Sequence, residues 1–119
     1  MIKRYKDSPF RQIVYPYPSE DKAGIQHVLA GMAETGGVLR QMARTVLLPG
    51  FDMPLHTHDK DQEVYVILSG WAMYNDNGEV TKVGPGDVMY VRAGQSHGIA
   101  NPFKEPTLLF EINLPDPPK

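Results

Sequence analysis

The sequence predicts an all-β domain, a sandwich or barrel built from short strands. Two features of composition and pattern point there first. Eleven glycines and eleven prolines stand among 119 residues, roughly 18% against about 12% in average usage, so turns are frequent and elements short. Apolar-rich runs recur between these turns at the spacing of about 8–12 residues that sandwiches and barrels show. The third feature is Asn77-Gly78, the strongest short hairpin signal, lying between two such runs. The length suits a single domain, residues 1–119, with residues 1–20 as an extended N-terminal arm.

The elements follow in order. Pro9, Pro16 and Pro18 among Phe10, Tyr15 and Tyr17 exclude a helix in the arm and leave an extended segment that packs on something. Residues 19–34 are ambiguous: Ser19 offers a helix cap, but Gly24 and Gly31 weaken a helix, and we read Ile25–Leu29 as a strand. Gly36-Gly37 marks a turn, and Val38–Leu48 reads as one long strand ended by Pro49-Gly50. His56–His58, Glu63–Leu68, Trp71–Tyr74, Glu79–Val83, Val88–Val91, His97–Ala100 and Thr107–Asn113 complete the strands. Turns at Gly84-Pro85-Gly86-Asp87 and Ala93-Gly94-Gln95 separate them, and Pro115-Asp116-Pro117-Pro118 reads as a tail outside any sheet.

Composition narrows the function. With 41% hydrophobic and 22% charged residues, the chain has the make-up of a folded globule. A net charge of −2 leaves no basic stripe for phosphates, so no nucleic-acid partner is expected. The longest strongly apolar run, Val64–Leu68, is far too short for a bilayer, so no membrane partner is expected. Met1–Asp7 has basic residues with no apolar segment behind them, unlike a secretory signal, and a cytoplasmic location is the expectation. The chain has no cysteine. Disulfides, thiolate metal sites and cysteine nucleophiles are therefore excluded.

The chemistry lies in four side chains. His56 and His58, two apart on a strand, point to one face. Glu63 follows after a tight turn, and His97 opens a strand about forty residues on. Three imidazoles and a carboxylate make a good donor set for a divalent first-row metal. Taken singly, each has a plain structural alternative: a solvated His-x-His loop, a hydrogen-bonded His97, a surface glutamate. Only their joint pattern suggests a site.

In that pattern the sequence resembles the cupins, double-stranded β-helix (jelly-roll) barrels. Gly50-x5-His56-x-His58-x4-Glu63-x6-Gly70 matches their first motif, and Gly86-x5-Arg92-x-Gly94-x2-His97-x3-Asn101 their second, with Arg92 where proline is usual. The resemblance implies a cupin barrel and metal ligation by His56, His58, Glu63 and His97, with two neighbouring octahedral positions open. Manganese, iron or nickel suit that set best; zinc, cobalt and copper are also compatible. Gly50, Gly70, Gly86 and Gly94 fit turns needing positive φ. Asp87 is expected to bond turn amides, and Asn101 to tie down a strand end.

The pocket is less defined. Tyr65 shares the face of Glu63, and Arg40 and Arg44 share a face with Met42 on the long strand. That face either looks inward, making an anion pocket, or looks out to solvent. Arg92 is either a solvated turn residue or an anion contact at the barrel mouth. Phe110 is a candidate pocket wall, and His27 a structural or surface histidine. Asp59, Asp61, Tyr65, Gln95 and Glu111 are candidate acids or bases, and no catalytic residue stands out. An aromatic arm and apolar edge strands call for a covering partner, and in small cupins that cover is commonly a second subunit, so a homodimer is expected.

Three functions are open. One is a metal-dependent enzyme acting on a small anionic or oxygen-rich substrate, through isomerase, lyase, cyclase or dioxygenase chemistry. The second is a module that binds a metal or small ligand without turnover. The third is a purely structural barrel.

Overall fold

Ten strands make up the described part of the protein, which in this computed structural model comprises residues 1–13 and 24–115. They are β1 (Phe10–Ile13), β2 (Gly24–Gly31), β3 (Gln41–Leu47), β4 (Asp52–Thr57), β5 (Asp61–Ser69), β6 (Ala72–Asp76), β7 (Glu79–Val83), β8 (Val88–Val91), β9 (Ser96–Ala100) and β10 (Thr107–Pro115). A 3-10 turn over Tyr5–Asp7 and one helical turn, α1 (Met32–Thr35), are the described helical pieces. None is long and apolar enough to cross a membrane. One sheet runs β1-β2-β3-β10-β5-β8, the other β4-β9-β6-β7. Every pairing is antiparallel.

The sheets face each other, and alternation along each strand decides what lies between them. Ala43, Thr45 and Leu47 of β3 are buried, as are Glu63, Tyr65 and Ile67 of β5. Ala72 and Tyr74 come from β6, Ile99 from β9 and Leu109 from β10. Phe51, just before β4, and Met89 of β8 join this core. Polar side chains share the inner face with apolar ones, so this interior is built to hold something besides hydrocarbon.

The hairpin signal forms as expected. Asp76 pairs with Glu79, leaving Asn77-Gly78 as a two-residue loop with φ of 51° and 105°, the left-handed pair such loops require. The Asn77 side chain also accepts the Ser96 amide at 2.8 Å, fastening this turn to β9. Asp87 Oδ2 accepts the Gly84 amide at 2.8 Å. Asn101, fully buried, donates to the carbonyls of Leu47 and Glu105 and accepts the Phe103 amide.

Two expectations need correction, at Val38 and Pro115, and one ambiguous segment is settled. The strand read as Val38–Leu48 starts only at Gln41. The Thr35 hydroxyl accepts the Leu39 amide at 3.0 Å, which bends the preceding residues out of the ladder and leaves Val38 exposed. The segment around Met32 keeps one helical turn, because the Glu34 carboxylate caps the Gly31 amide at 3.0 Å and Gly36 closes it at φ 62°. Pro115 is not outside the sheet: it is the last residue of β10, opposite Asp61, at a strand end where a missing N–H costs no ladder bond. Phe10 lies in β1 against His27 of β2, so part of the arm is a strand. Ser19, Pro16, Pro18, Tyr15, Tyr17 and the final Asp116-Pro117-Pro118 lie outside the described residues.

Candidate metal centre

Register brings the histidines together. β4 and β9 pair so that His56 lies opposite His97. The ladder is irregular between Met53 and His56, where Pro54 has no N–H to donate, and such a bulge re-aims the side chains that follow it. His58, just past β4, is fixed by its amide on the Gln95 carbonyl at 3.1 Å. Glu63 enters from β5 in the facing sheet.

His56 Nε2 lies 3.2 Å from His58 Nε2, and His58 Nε2 lies 3.0 Å from His97 Nε2. Glu63 Oε1 is 3.3 Å from His97 Nε2 and 3.7 Å from His58 Nε2. The far side of each ring is also held. His56 Nδ1 meets the Pro54 carbonyl at 3.0 Å, His58 Nδ1 the Asp61 carboxylate at 2.9 Å, and His97 Nδ1 the Tyr74 hydroxyl at 2.9 Å.

These partners test whether the residues fit a metal. A carbonyl and a carboxylate only accept, so His56 and His58 donate through Nδ1. Each neutral ring then turns its Nε2 lone pair towards the other, next to a carboxylate oxygen. Lone pairs gathered so closely repel unless a cation lies among them. Donors about 2.0–2.1 Å from a common ion at right angles would sit about 3 Å apart, which is the spacing found. The three imidazoles therefore form a group able to hold a metal ion.

Burial and hydrogen bonding keep the donors in their ligating forms. Burial works against the Glu63 charge, but side-chain hydrogen bonds to His97, Glu111 and Tyr65 outweigh it and lower its pKa to about 2. Burial also pushes the His97 pKa down, against the pull of Glu63, favouring the neutral ring. Asp61 is lowered too: its burial is outweighed by hydrogen bonds from His58 and Asn113, with the charge of Arg40 adding to them. Burial raises the Tyr65 and Tyr74 hydroxyls, so both stay protonated.

The centre forms one end of a cavity of about 330 Å³. Leu47, Phe51, Met53, Ile99 and Leu109 make its apolar wall, with Tyr65 stacked on His97 at 5.2 Å between ring centroids. Gln26, Thr45 and Glu111 make a polar stripe, in which Gln26 Nε2 donates to Glu111 Oε2 at 2.8 Å.

The candidate pocket residues part company here. Tyr65 lines the cavity, whereas Phe110, opposite Val66 rather than Tyr65 in the ladder, is on the outer face and exposed. Arg44 also faces outward, because the inner face of β3 belongs to Ala43, Thr45 and Leu47. There it donates to the Tyr5 hydroxyl at 3.1 Å and lies over that ring, while His27 packs against Tyr5 and Phe10. Arg40 lies at an adjoining polar opening with Asp61, Glu63, Glu111 and Asn113, of which Glu63 and Glu111 also line the cavity, and is 3.7 Å from Asp61. Arg92 is an exposed turn residue whose amide donates to the Gln95 side chain. Among the acid–base candidates, Asp59 and Gln95 are exposed, Asp61 is engaged with His58, and Tyr65 and Glu111 reach the cavity.

Four contributors went unread in the sequence: Gln26, Thr45, Tyr74 and Asn113. Asn113 Nδ2 donates to Asp61 at 2.7 Å and to Glu63 at 3.2 Å, tying the partner of one histidine to the glutamate. The signal was a polar residue in an otherwise apolar alternation, legible only once the inner face of each strand is known.

Comparison with known proteins agrees with this architecture. Over 62 residues, 52% of this chain, the sequence is 40% identical to an oxalate-binding protein of Thermotoga maritima. The match spans 51% of that relative, so the chain covers about half the length of the curated protein it matches. A Thermotoga maritima structure described as a "predicted oxalate decarboxylase" superposes with a TM-score of 0.83 at 25% identity, covering 97% of this chain and 99% of the other. A double-stranded β-helix protein of Klebsiella pneumoniae superposes at 0.68 with 27% identity, over 85% and 84% of the two chains. Residues 43–113, which include His56, His58, Glu63 and His97, match the model of the cupin domain, and the chain belongs to that family.

Proposed function

We propose that this chain is a divalent-metal-dependent cupin that takes a small, oxygen-rich organic molecule into its cavity. His56, His58, Glu63 and His97 hold the metal. The observation that carries the reading is the convergence of three Nε2 atoms within 3.2 Å steps beside the Glu63 carboxylate, at the end of a largely apolar cavity crossed by one polar stripe. The nitrogen and oxygen donor set suits manganese, iron or nickel. When bound, such an ion supplies Lewis acidity to a coordinated oxygen. The chain's own residues orient the rings, exclude water with the apolar wall, and fix the ligand's direction of entry. The oxalate-binding relative supports a small organic acid as the ligand class.

Turnover is the enzymatic form of this reading. Glu111 favours it, because its carboxyl reaches both the cavity and Glu63 and is able to hold a proton beside a coordinated ligand. Retention without turnover is the alternative form. A second copy of the chain completes the proposal: Leu68, Val88, Tyr90 and Phe110 leave the six-stranded sheet with an apolar outer face suited to a homodimer.

The test is metal analysis of the purified chain beside His58→Ala and His97→Ala. Near-stoichiometric metal is expected in the parent and severe loss in both variants; full metal in both variants would mean that the ligands are wrongly assigned. Product analysis of organic acids with and without oxygen then separates dioxygenation, redox-neutral chemistry and simple binding.

A further inference from the structure

We infer that the cavity selects a chelating monoanion with a compact apolar body, of the α-keto or α-hydroxy acid kind, over dianions such as oxalate or a sugar phosphate. The inference rests on the metal reading above and adds the ligand's charge and shape.

The first argument is charge. A divalent ion with the Glu63 carboxylate carries one net positive charge, and the histidines add none while they are neutral. A monoanion brings the ion and its four donors to neutrality; a dianion leaves an uncompensated negative charge against a largely apolar wall, which is costly unless a cation is close. No lysine or arginine lines this cavity among the described residues. Arg44 lies over Tyr5 on the outer face, Arg92 is exposed in its turn, and Lys82 lies over the Trp71 and Phe103 rings. Arg40 lines an adjoining opening that shares Glu63 and Glu111 with this cavity, and there it faces the Asp61 carboxylate at 3.7 Å. Among the described residues the wall adds Glu111, a further acid, and the protonated Tyr65 hydroxyl.

The second argument is shape. A cavity of about 330 Å³ equals about eleven waters at about 30 Å³ each. Oxalate would leave much of it empty, against walls that gain nothing from water. Leu47, Phe51, Met53, Ile99 and Leu109 offer hydrocarbon and an aromatic ring to the ligand's body. Glu111, accepting from Gln26 at 2.8 Å and from Thr45 at 3.5 Å, suits a hydroxyl or amide hydrogen on that body and opposes a second carboxylate.

The experiment uses the full chain loaded with Mn²⁺, its loading measured independently. Calorimetric titration compares 4-methyl-2-oxopentanoate and phenylpyruvate with oxalate and mannose 1-phosphate. The two keto acids are expected to bind at least tenfold more tightly than either dianion. Met53→Arg, a substitution at the partly exposed edge of the cavity, is expected to shrink or reverse that ratio by supplying the missing cation. Oxalate binding as tightly as the keto acids to the parent chain would overturn the selectivity. So would a loaded chain that binds none of the four. A chain that takes up no Mn²⁺ overturns the metal reading itself, and the loading measurement reports this before any ligand is added.

Discussion

Asp61 and Asn113 hold the candidate centre in place without belonging to its donor set. Asp61 fixes the His58 ring at 2.9 Å, and Asn113 bridges Asp61 and Glu63. Orienting partners of this kind are typically worth 10–100-fold in metal affinity. Asp61→Ala and Asn113→Ala are each expected to weaken Mn²⁺ binding about tenfold or more in chelator competition, with circular dichroism unchanged. Parent-like affinity in both would show that the rings orient themselves. Gly98 acts at the same scale through sterics. A Cβ there would meet the Met53 carbonyl oxygen at 2.7 Å and the Pro54 carbonyl carbon at 2.9 Å, backbone that cannot swing aside. Gly98→Ala is expected to cost about 1–3 kcal/mol in chemical unfolding and to lower metal content by prising His56 from His97; a variant with full stability and full metal would refute the contact.

At the scale of elements, β5 and β10 anchor the barrel. β10 pairs with β3 on one side and β5 on the other, and their inner residues Ile67 and Leu109 are each 1% exposed. Truncating either to alanine removes packed hydrocarbon and leaves a cavity, an expected loss of about 2–5 kcal/mol in equilibrium unfolding. A loss below about 1 kcal/mol would mean that this part of the core collapses easily around the gap. The same pairing places Glu111 and Asn113 beside Glu63, so damage to β10 is expected to reach the site as well. The strand limits were readable because Gly and Pro punctuate them. Gly50, Gly70, Gly86 and Gly94 all have φ between 81° and 91°, conformations that other residues rarely accept. Val38 was misjudged because the competing bond is a side-chain one, from the Leu39 amide to Thr35, and nothing in the apolar pattern announces it.

For the whole molecule, the ion would tie β4 and β9 of one sheet to β5 of the other. Removing it with a chelator is therefore expected to lower the melting temperature, and restoring it to raise it. Saturation at about a thousand times Kd corresponds to about 4 kcal/mol. Identical melting of the loaded and stripped chain would show that no ion binds the native state preferentially. Light scattering at micromolar concentration is expected to give twice the 13.3 kDa of the chain; a monomer would remove the second copy from the proposal.

The sequence by itself determined the succession of strands along the chain in outline, the turn glycines and the pairing of His56 with His58 on one face. Each of those is written in local spacing, two residues along a strand or a glycine where φ must be positive; Glu63 and His97 joined that pair as ligands through the motif resemblance. Only the tertiary structure decided which face of β3 looks inward, and with it the fate of Arg40 and Arg44. Val46 and Leu48 argued for one face, Ala43 and Leu47 for the other, and a strand's own alternation cannot choose between them. Contact with β10 and the opposing sheet chose Ala43, Thr45 and Leu47. The cavity's lack of a lysine or arginine among the described residues follows from that choice, because burial is a property of neighbours brought from afar.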